Sequence, residues 1–510
     1  MQVTIKKTGN GVNKDLLASE LLPGQWSDCL NVRFRNDFAE TFKGIQQAYT
    51  PPPVIPYWMD TYGNAGNRFV VYAGLQRAFV DDGGTQTEIT RIAGVFTGAR
   101  DDRWSGGVLN GVLLMNNPVN GLFYWGGNIA NKLLAVPGYA NVADVARPFK
   151  NFVVFLGSTV AGVKKPHNVA WSASASPGAI PTSFVSSATN DAGETDLAET
   201  TGSMVDCLPL GNVNIIYKQD ARYAMQYVGG NDVFSFQRLP GNDGLLARGC
   251  VVQTPKGHVF LTNGDVKIHS GGEAVSIADG RIRKWLFNTM DAGNAPRSFL
   301  CLNPQKTEVW LVFPSVGSAD CNTVIAWNWD ADAWGIRAVS GVTCGVAGLV
   351  SVALTNGSYA SQTSTYAASV EFYNSNQNTP NEARLIIGNN TPKLGLAETG
   401  SNDFGVAFTW MLERVGMELD DPESIKVLSA SRPHFNALPG TLVSIYHGSS
   451  MFADAIPTYA APTNFTTGTT NWANMFAQGG RYLSLKMTSI DPQPVSLRSF
   501  DIDFTKQGRF

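Results

Sequence analysis

Short runs of aromatic and β-branched residues, each broken by a glycine-containing turn, recur along the first 345 residues of the chain. Six such units begin at Trp58, Trp104, Ala143, Asp206, Gly249 and Pro296, at intervals of 46, 39, 63, 43 and 47 residues. In the fifth unit, GHVFLTNGDVKIHS, Val259 and Leu261 share one strand face before Asn263-Gly264, a dipeptide typical of hairpin turns. The pattern therefore predicts antiparallel strands joined by tight turns.

Six units of this length match the period of β-propeller blades, each of which is a four-stranded sheet. The interval of 63 residues contains VSSATNDAGETDLAETTGS, residues 185–203, whose composition predicts a surface insertion. The sequence thus predicts an all-β fold with a six-bladed β-propeller-like domain over residues 1–345. A large β-sandwich with the same strand rhythm is the alternative, because a single sequence does not reveal radial closure.

An early hairpin is predicted in LLPGQWSDCLNVRFRNDFAETFKG, residues 21–44. Val32 and Phe34 lie on a first short strand, Asn36-Asp37 form the turn, and Phe38 and Phe42 follow on a second strand. A hairpin of this kind has unpaired edges, so we expect it to pair with another strand of the protein.

The chain changes character after the sixth unit. Residues 346–403 are rich in Ser, Thr and Asn and predict an extended connecting region. The alternating segments VAFTWMLERVGMEL, RYLSLKMTSI and VSLRSFDIDF then predict a C-terminal antiparallel β-sandwich over residues 404–510.

One segment, SIADGRIRKWLFNTMD, has apolar residues at helical spacing, namely Ile282, Trp285, Leu286 and Met290. Asp279 is expected to cap this short helix. The segment also carries the densest basic cluster of the chain, Arg281, Arg283 and Lys284. A helix covering a sheet edge and a basic helix on a phosphate backbone are both conceivable, and the lack of a flanking basic run favours the first.

The composition supports a strand-rich fold and argues against some partners. Charged residues make up 15% of the chain, below the roughly 25% of soluble domains, and the 52 Gly and 27 Phe favour turns and strands. The net charge of −3 gives no electrostatic reason to bind nucleic acid or an anionic membrane. No run of 18 apolar residues occurs, and no apolar segment follows the lysines of MQVTIKKTGNG. We therefore expect neither a membrane-spanning helix nor a signal peptide.

Motifs that carry chemistry are nearly absent. The six cysteines lie at least 20 residues apart, so we expect buried thiols in a protein made in a reducing cytoplasm rather than a zinc site or a disulfide framework. The five histidines, none in ligand spacing, are His167, His258, His269, His434 and His447. No nucleophile elbow, phosphate-binding loop or dinucleotide fingerprint occurs. We predict no catalytic, cofactor-binding or metal-binding residue and no enzymatic activity.

Two acidic clusters are candidates for a cation site. In WNWDADAW, Asp330 and Asp332 have the spacing of a calcium loop but lack its later glycine and glutamate, which favours a turn of an aromatic hairpin. In ELDDPES, Glu418, Asp420, Asp421 and Glu423 surround Pro422 and predict a solvated turn.

Several segments resemble those of tail nozzle proteins of short-tailed bacteriophages, also called tail tubular protein B. The first and longest is GVNKDLLASELLPGQWSDCLNVRFRNDFAETFKG. Then follow, in the same order, SIADGRIRKW, SFLCLNPQKTEVWLVFP, VIAWNWDADAWGIR, ERVGMELDDPESIK and GGRYLSLKM. The resemblance covers most of the chain from residue 11 onward, whereas residues 340–402 carry no matching motif.

The resemblance implies a structural virion protein rather than an enzyme. Nozzle proteins form a homohexameric ring in the virion tail, below the portal and adaptor proteins and next to tail fibre or tail-tip proteins. The ring retains the genome and then conducts duplex DNA without binding it specifically. The resemblance also implies a propeller-like domain in which the early hairpin pairs with the last propeller strands, so that the blades close on themselves. Synthesis is expected in the bacterial host cytoplasm.

Two other classes of protein are considered. A carbohydrate-binding or carbohydrate-active β-propeller is possible if Trp327, Trp329 and Trp334 stack on sugars. An outer-membrane barrel is suggested by the segment FDIDFTKQGRF ending at Phe510, and the missing signal peptide argues against it.

Overall fold

Antiparallel strands dominate the computed structural model, which describes residues 1–64, 66–230, 232–350, 383–419, 421–491 and 493–509. The predicted all-β class is confirmed. Within these ranges the helical elements are one α-helix, Arg283–Thr289, and three 3-10 turns, Ala18–Glu20, Ala295–Arg297 and Pro304–Lys306. None of the described helices has the length and apolar character needed to cross a membrane. Asp420 and Phe510, singled out above, lie outside the described residues.

Each of the six sequence units forms one antiparallel sheet whose strands follow one another in chain order. The first sheet contains Trp58–Asn64, Asn67–Ala73, Ala78–Asp81 and Gln86–Glu88. The second contains Ser105–Leu109, Val112–Asn117, Gly121–Trp125 and Leu134–Ala135. The third contains Val142–Phe149, Phe152–Val160, Val163–Lys164, Asn168–Trp171 and Gly193–Asp196.

The remaining three sheets repeat this order. The fourth contains Met204–Leu210, Val213–Lys218, Arg222–Gly229 and Val233–Arg238. The fifth contains Val251–Thr254, Gly257–Leu261, Val266–His269 and Val275–Ser276. The sixth contains Phe299–Asn303, Glu308–Phe313, Cys321–Asn328 and Ala333–Leu349, and it continues into further strands.

The sequence predicted a surface insertion over residues 185–203, but part of this segment belongs to a sheet. Gly193–Asp196 within this segment pairs with Asn168–Trp171 and completes the third sheet. The four-residue strand is partly exposed and rich in polar residues, so its composition resembles that of a loop. The composition therefore misled because an edge strand needs few apolar side chains.

Consecutive sheets pack face to face. Every residue of Val112–Asn117, Gly257–Leu261 and Glu308–Phe313 is buried, so these second strands are covered on both faces. Aromatic pairs join neighbouring sheets, such as Phe152 with Phe234, whose ring centroids are 5.0 Å apart. The first and sixth sheets are also in contact, because Tyr72 of the first shares a hydrophobic cluster with Cys344 of the sixth.

The early hairpin is confirmed as Val32–Arg35 and Phe38–Thr41, joined by Asn36-Asp37 with φ of 52° and 63°. Positive φ at both turn residues is the geometry that two-residue hairpins require. Its first strand pairs with the last strand of the sixth sheet, Val32 opposite Ile336. A Cβ at Gly335 would lie 2.5 Å from the Val32 carbonyl oxygen, so this close approach requires glycine.

Two antiparallel sheets, here called the C-terminal unit, follow the six sheets. One contains Ala473–Gly480, Ser424–Asn436 and Ser496–Arg509, with Gln2–Ile5 paired to the last of these. The other contains Asp28–Leu30, Trp410–Met417, Tyr482–Ser489, Leu442–Ser450, Thr458–Tyr459 and Thr463–Thr466. The second hairpin strand also pairs with this unit, Ala39 opposite Leu497. One sheet therefore runs from the sixth sheet through the hairpin into the C-terminal unit.

The segment predicted as an extended connection, residues 346–403, contains strands at its described ends. Ala383–Asn389 pairs with the end of Ala333–Leu349, Leu394–Ala397 pairs next, and Ile45–Gln47 completes this extension. Residues 351–382 lie outside the described residues. The described ends thus extend the sixth sheet.

The predicted helix is present, but its predicted cap is wrong. The helix begins at Arg283, and its N-cap, Ile282, makes no side-chain capping bond. The Asp15 carboxylate accepts the backbone N–H groups of Lys284 at 3.1 Å and Trp285 at 3.2 Å. Asp279 instead pairs with the side chain of Arg283 at 3.0 Å. A residue more than 260 positions away therefore supplies the acceptor that free helical N–H groups need.

A buried ion cluster fixes the hairpin to the sixth sheet. Arg33 lies 3.4 Å from Glu308 and pairs with Glu398, and all three side chains are at most 3% exposed. Trp310 Nε1 donates to Glu308 at 2.9 Å. Burial raises the pKa of Glu308, whereas at Glu398 the combined attraction of Arg33, Lys306 and Arg337 outweighs burial and keeps the pKa low. The Arg33 guanidinium also lies 4.1 Å from the centroid of the Phe42 ring.

We expect Arg33→Met to lower the free energy of unfolding by about 3–5 kcal/mol, because it leaves buried carboxylates without their cation. The matched control is Arg35→Met on the same strand, whose half-exposed pair with Glu40 at 3.6 Å should contribute about 1 kcal/mol or less. Urea unfolding followed by tryptophan fluorescence measures both. Equal, small losses in the two variants would contradict the role of the cluster.

Candidate functional site: a polar cavity bordered by all six sheets

A cavity of about 210 Å³ lies where the first strands of the six sheets meet. Each sheet contributes residues from its first strand or from the residues just before it, for example Asp60, Arg103, Arg147, Leu208, Val251 and Leu300. Cys344 and its two following residues, from the last strand of the sixth sheet, also line it. At about 30 Å³ per water molecule, the cavity holds about seven waters, or one small ion with several waters.

An ion pair joins the third and fourth sheets at this cavity. Arg147 donates from Nε and Nη2 to the two carboxylate oxygens of Asp206, at 2.6 and 2.9 Å. The backbone N–H of Gly249, from the fifth sheet, donates to Asp206 at 3.0 Å. Burial opposes ionisation of Asp206, but Arg147, the Gly249 N–H and Arg248 together outweigh it and hold the pKa of this carboxyl below its ordinary value. The charges of Arg147 and Asp206 therefore compensate each other.

Two further arginines cross the cavity. Arg103 Nη1 donates to the backbone carbonyls of Arg248 at 2.6 Å and of Pro296 and Ser298 at 3.1 Å each. In return, Arg248 Nη1 donates to the carbonyl of Arg103. These bonds connect the segment before the second sheet with the segments before the fifth and sixth. Burial lowers the pKa of Arg248 to about 10, which leaves it protonated at neutral pH.

A second carboxylate, Asp60 of the first sheet, also faces the cavity. Burial raises its pKa to about 6, and the Thr61 backbone N–H, 2.8 Å away, and Arg147 only partly offset this. The site therefore combines three guanidinium groups with the compensated carboxylate of Asp206 and with Asp60, which is still mostly ionised at neutral pH. Cys344 adds no nucleophile, because burial raises the pKa of its thiol to about 12.

The histidines of the described residues lie outside the lining of this cavity. Among these residues, no group of three or more His, Cys, Asp and Glu side chains is placed to hold a metal ion. All six cysteines are buried and unpaired, as predicted. His434 lies 3.0 Å from Asp501, His447 lies 2.7 Å from the Ser431 hydroxyl, and His167 is half-buried.

His258 and His269 belong to a buried network with Tyr217 that joins the fourth and fifth sheets. Gly271 N–H donates to His269 Nδ1 at 3.1 Å, so His269 Nε2 carries the proton and donates to the Tyr217 oxygen at 2.7 Å. His258 Nε2 donates to the Pro209 carbonyl at 2.9 Å, so its Nδ1 accepts the Tyr217 hydroxyl at 2.9 Å. Both rings are neutral in this arrangement, and burial lowers the pKa of His258 to about 4 and of His269 to about 3.

We expect this network to weaken the fold in acid. Between pH 6.5 and about 4 the unfolded histidines bind protons that the folded ones do not, so stability present above pH 6.5 is lost as the pH falls. Replacing His258 with Gln should reduce the slope of unfolding free energy against pH by up to about 1.4 kcal/mol per pH unit in this window. The control is His434→Gln, whose ring is exposed. Equal slopes in both variants would exclude the network as the cause.

The predicted acidic and aromatic candidates are part of the fold. Asp332 accepts the Trp327 indole N–H at 3.0 Å and pairs with Arg281 at 2.8 Å. Asp421 pairs with Lys506 at 2.6 Å. Trp327, Trp329 and Trp334 are all buried, so none offers a face to a sugar. The observation that favoured carbohydrate binding is therefore lost.

Sequence reasoning missed the cavity arginines. Arg103, Arg147 and Arg248 each stand alone in the sequence, in DDRWSGG, DVARPF and LARGC. The available signal was a basic residue at the start of three of the six units. That signal indicates a shared site only if the first strands of the sheets meet at one place, and the strand pattern does not predict where they meet.

Comparisons with known proteins give no assignment. No family model and no curated protein matches the chain. Among solved structures, the Swd1 β-propeller domain of Myceliophteria thermophila Cps50 is 6% identical over 70% of this chain and 99% of its own, with a TM-score of 0.42. The computationally designed Ika8 protein is 12% identical over 72% and 94%, with a TM-score of 0.37. PorZ, a surface component of the type IX secretion system of Porphyromonas gingivalis, is 9% identical over 83% of this chain and 46% of its own, with a TM-score of 0.38. At these TM-scores the similarities carry no argument.

Proposed function

We propose that this protein is a tail nozzle subunit of a short-tailed bacteriophage, a ring-forming virion protein that retains and then conducts the genome. One observation carries the proposal: the segments that resemble nozzle proteins, scattered over more than 400 residues, contact one another around the N-terminal segment. Lys14 N–H donates to the Arg281 carbonyl, Val12 N–H to Trp334, and Ser27 N–H to Glu413, at 2.6, 2.9 and 3.0 Å. Each contact joins the longest of these segments to a different one of the others.

Other observations support a propeller interpretation of the six sheets. In our proposal the sheets are blades, the cavity is their axis, and the hairpin closes the sixth blade. The supporting observations are the first strands that border one cavity, the cluster shared by the first and sixth sheets, and the pairing of Val32 with Ile336. Closure of this kind leaves fewer exposed strand edges.

The genome channel in this proposal lies between subunits. The cavity within the chain, about 210 Å³, is far too small for a duplex whose major groove alone is about 12 Å wide. A conduit therefore needs several copies around a common axis, joined by repeated heterologous contacts that close by rotation. Adaptor and portal proteins would lie above this ring and fibre or tip proteins beside it.

We expect six-fold symmetry at the layer of the tail that this protein occupies. Averaged electron micrographs of virion tails, with the protein located by an antibody or a fused tag, measure this. Twelve-fold or three-fold averages at the labelled layer would contradict the nozzle assignment.

We also expect weak binding to duplex DNA, with a dissociation constant of about 10⁻⁴ M or higher at physiological salt. The densest basic cluster is largely compensated, because Arg281 pairs with Asp332 and Arg283 with Asp279, at 2.8 and 3.0 Å. A conduit that gripped phosphates would hinder release of the genome. Fluorescence titration measures the affinity, and Asp332→Asn, which frees Arg281, is a variant in which salt-sensitive binding should rise. Micromolar affinity of the unmodified protein that collapses with salt would contradict a passive channel.

A further inference from the structure

We infer that the cavity between the six sheets is a binding site for one small free oxyanion, of the class of inorganic phosphate or sulfate. The inference concerns the interior of a single chain and does not depend on ring formation. It rests on three arginines, from three different sheets or the segments before them, that converge on one cavity.

The first argument is the balance of charge. Arg147 and Asp206 form a two-bond pair and compensate each other. Arg103 and Arg248 then remain with Asp60, the one carboxylate in the lining, which leaves an excess positive charge. Such an excess in a confined space, where solvent screening is weak, favours an anion.

The second argument is the set of unused donors. Arg248 Nε is buried and has no hydrogen-bond partner among the described residues. Arg103 directs one nitrogen, Nη1, to three carbonyls, and Arg248 directs Nη1 to one. The two bonds from Arg147 to Asp206 use its Nε and Nη2. A tetrahedral oxyanion offers several acceptor oxygens at once, which matches the planar donor groups of arginine better than a single water does.

The third argument is size, which decides the source of the oxyanion. A volume of about 210 Å³ accommodates a free ion with a few waters at about 30 Å³ each. The sugar and base of a nucleotide, or a phosphodiester chain, would have to extend out of the cavity, away from the arginines. The ligand is therefore a free ion rather than a phosphate group of nucleic acid.

Isothermal titration calorimetry of the full chain with inorganic phosphate, and separately with sulfate, tests the site at constant ionic strength set by sodium chloride. We expect saturable binding of one ion per chain. Arg248→Met should weaken it by about tenfold or more, the loss of a charge-assisted donor. Asp60→Asn keeps the side-chain shape but removes the repelling charge, so it should tighten binding several-fold. Arg238→Met, at an exposed position far from the lining, is the matched control and should bind as the unmodified protein does.

Several outcomes would overturn the site. The site would be excluded if neither ion bound saturably, if Arg248→Met bound as tightly as the unmodified protein, or if Asp60→Asn showed no gain in affinity. A general effect of sulfate on the protein surface would be the same in every variant. A titration signal of equal size in all variants would therefore count against the site. Binding of a nucleoside monophosphate as tight as that of phosphate would contradict selectivity for a free ion. If Arg248→Met does not fold, the unmodified protein and Asp60→Asn still decide the question.

Discussion

The hairpin of Val32–Arg35 and Phe38–Thr41 hydrogen-bonds on one side to a strand of the sixth sheet and on the other to a strand of the C-terminal unit. Backbone groups at a sheet edge must find partners, and here two edges far apart in the chain find them in the same short element. The six sheets and the C-terminal unit thereby share a continuous sheet and one hydrophobic cluster. Relative motion of the two parts would break backbone bonds as well as side-chain contacts.

Burial makes this connection specific. The Arg33 cluster places one cation between two carboxylates from the sixth sheet and its extension. A misplaced hairpin would leave a buried charge without its partner, which is energetically costly. Gly335 allows the hairpin backbone to approach closely, and Asp15 supplies the helix at 283–289 with acceptors that its own sequence lacks. The N-terminal segment thus acts on the sixth sheet, the helix and the C-terminal unit through three different kinds of interaction.

Local patterns predicted much of this fold, and long-range pairing limited the rest. The strand units were recognisable because an apolar run such as GHVFL and the turn that follows it are adjacent in the sequence. The predicted starts at Trp58 and Gly249 fall close to observed strands. The strand Gly193–Asp196 was missed because an exposed edge tolerates loop-like composition. Asp279 was chosen as a cap because it is near in sequence, whereas Asp15 is near in space. The cavity arginines were invisible for the same reason, since each is ordinary in its own segment.

The pairing of Gln2–Ile5 with the strand Ser496–Arg509 has a consequence for the order of folding, since Val3 lies opposite Ile502. At about 5–20 residues per second, a ribosome needs roughly 25–100 s to make the intervening chain. During that time the first strand has no partner, while the intervening sheets, each built from neighbours in sequence, can form one after another. The chain therefore completes its local sheets early and joins its two ends last. Until that final step, Gln2–Ile5 lacks its strand partner and is exposed to pairing with another nascent copy.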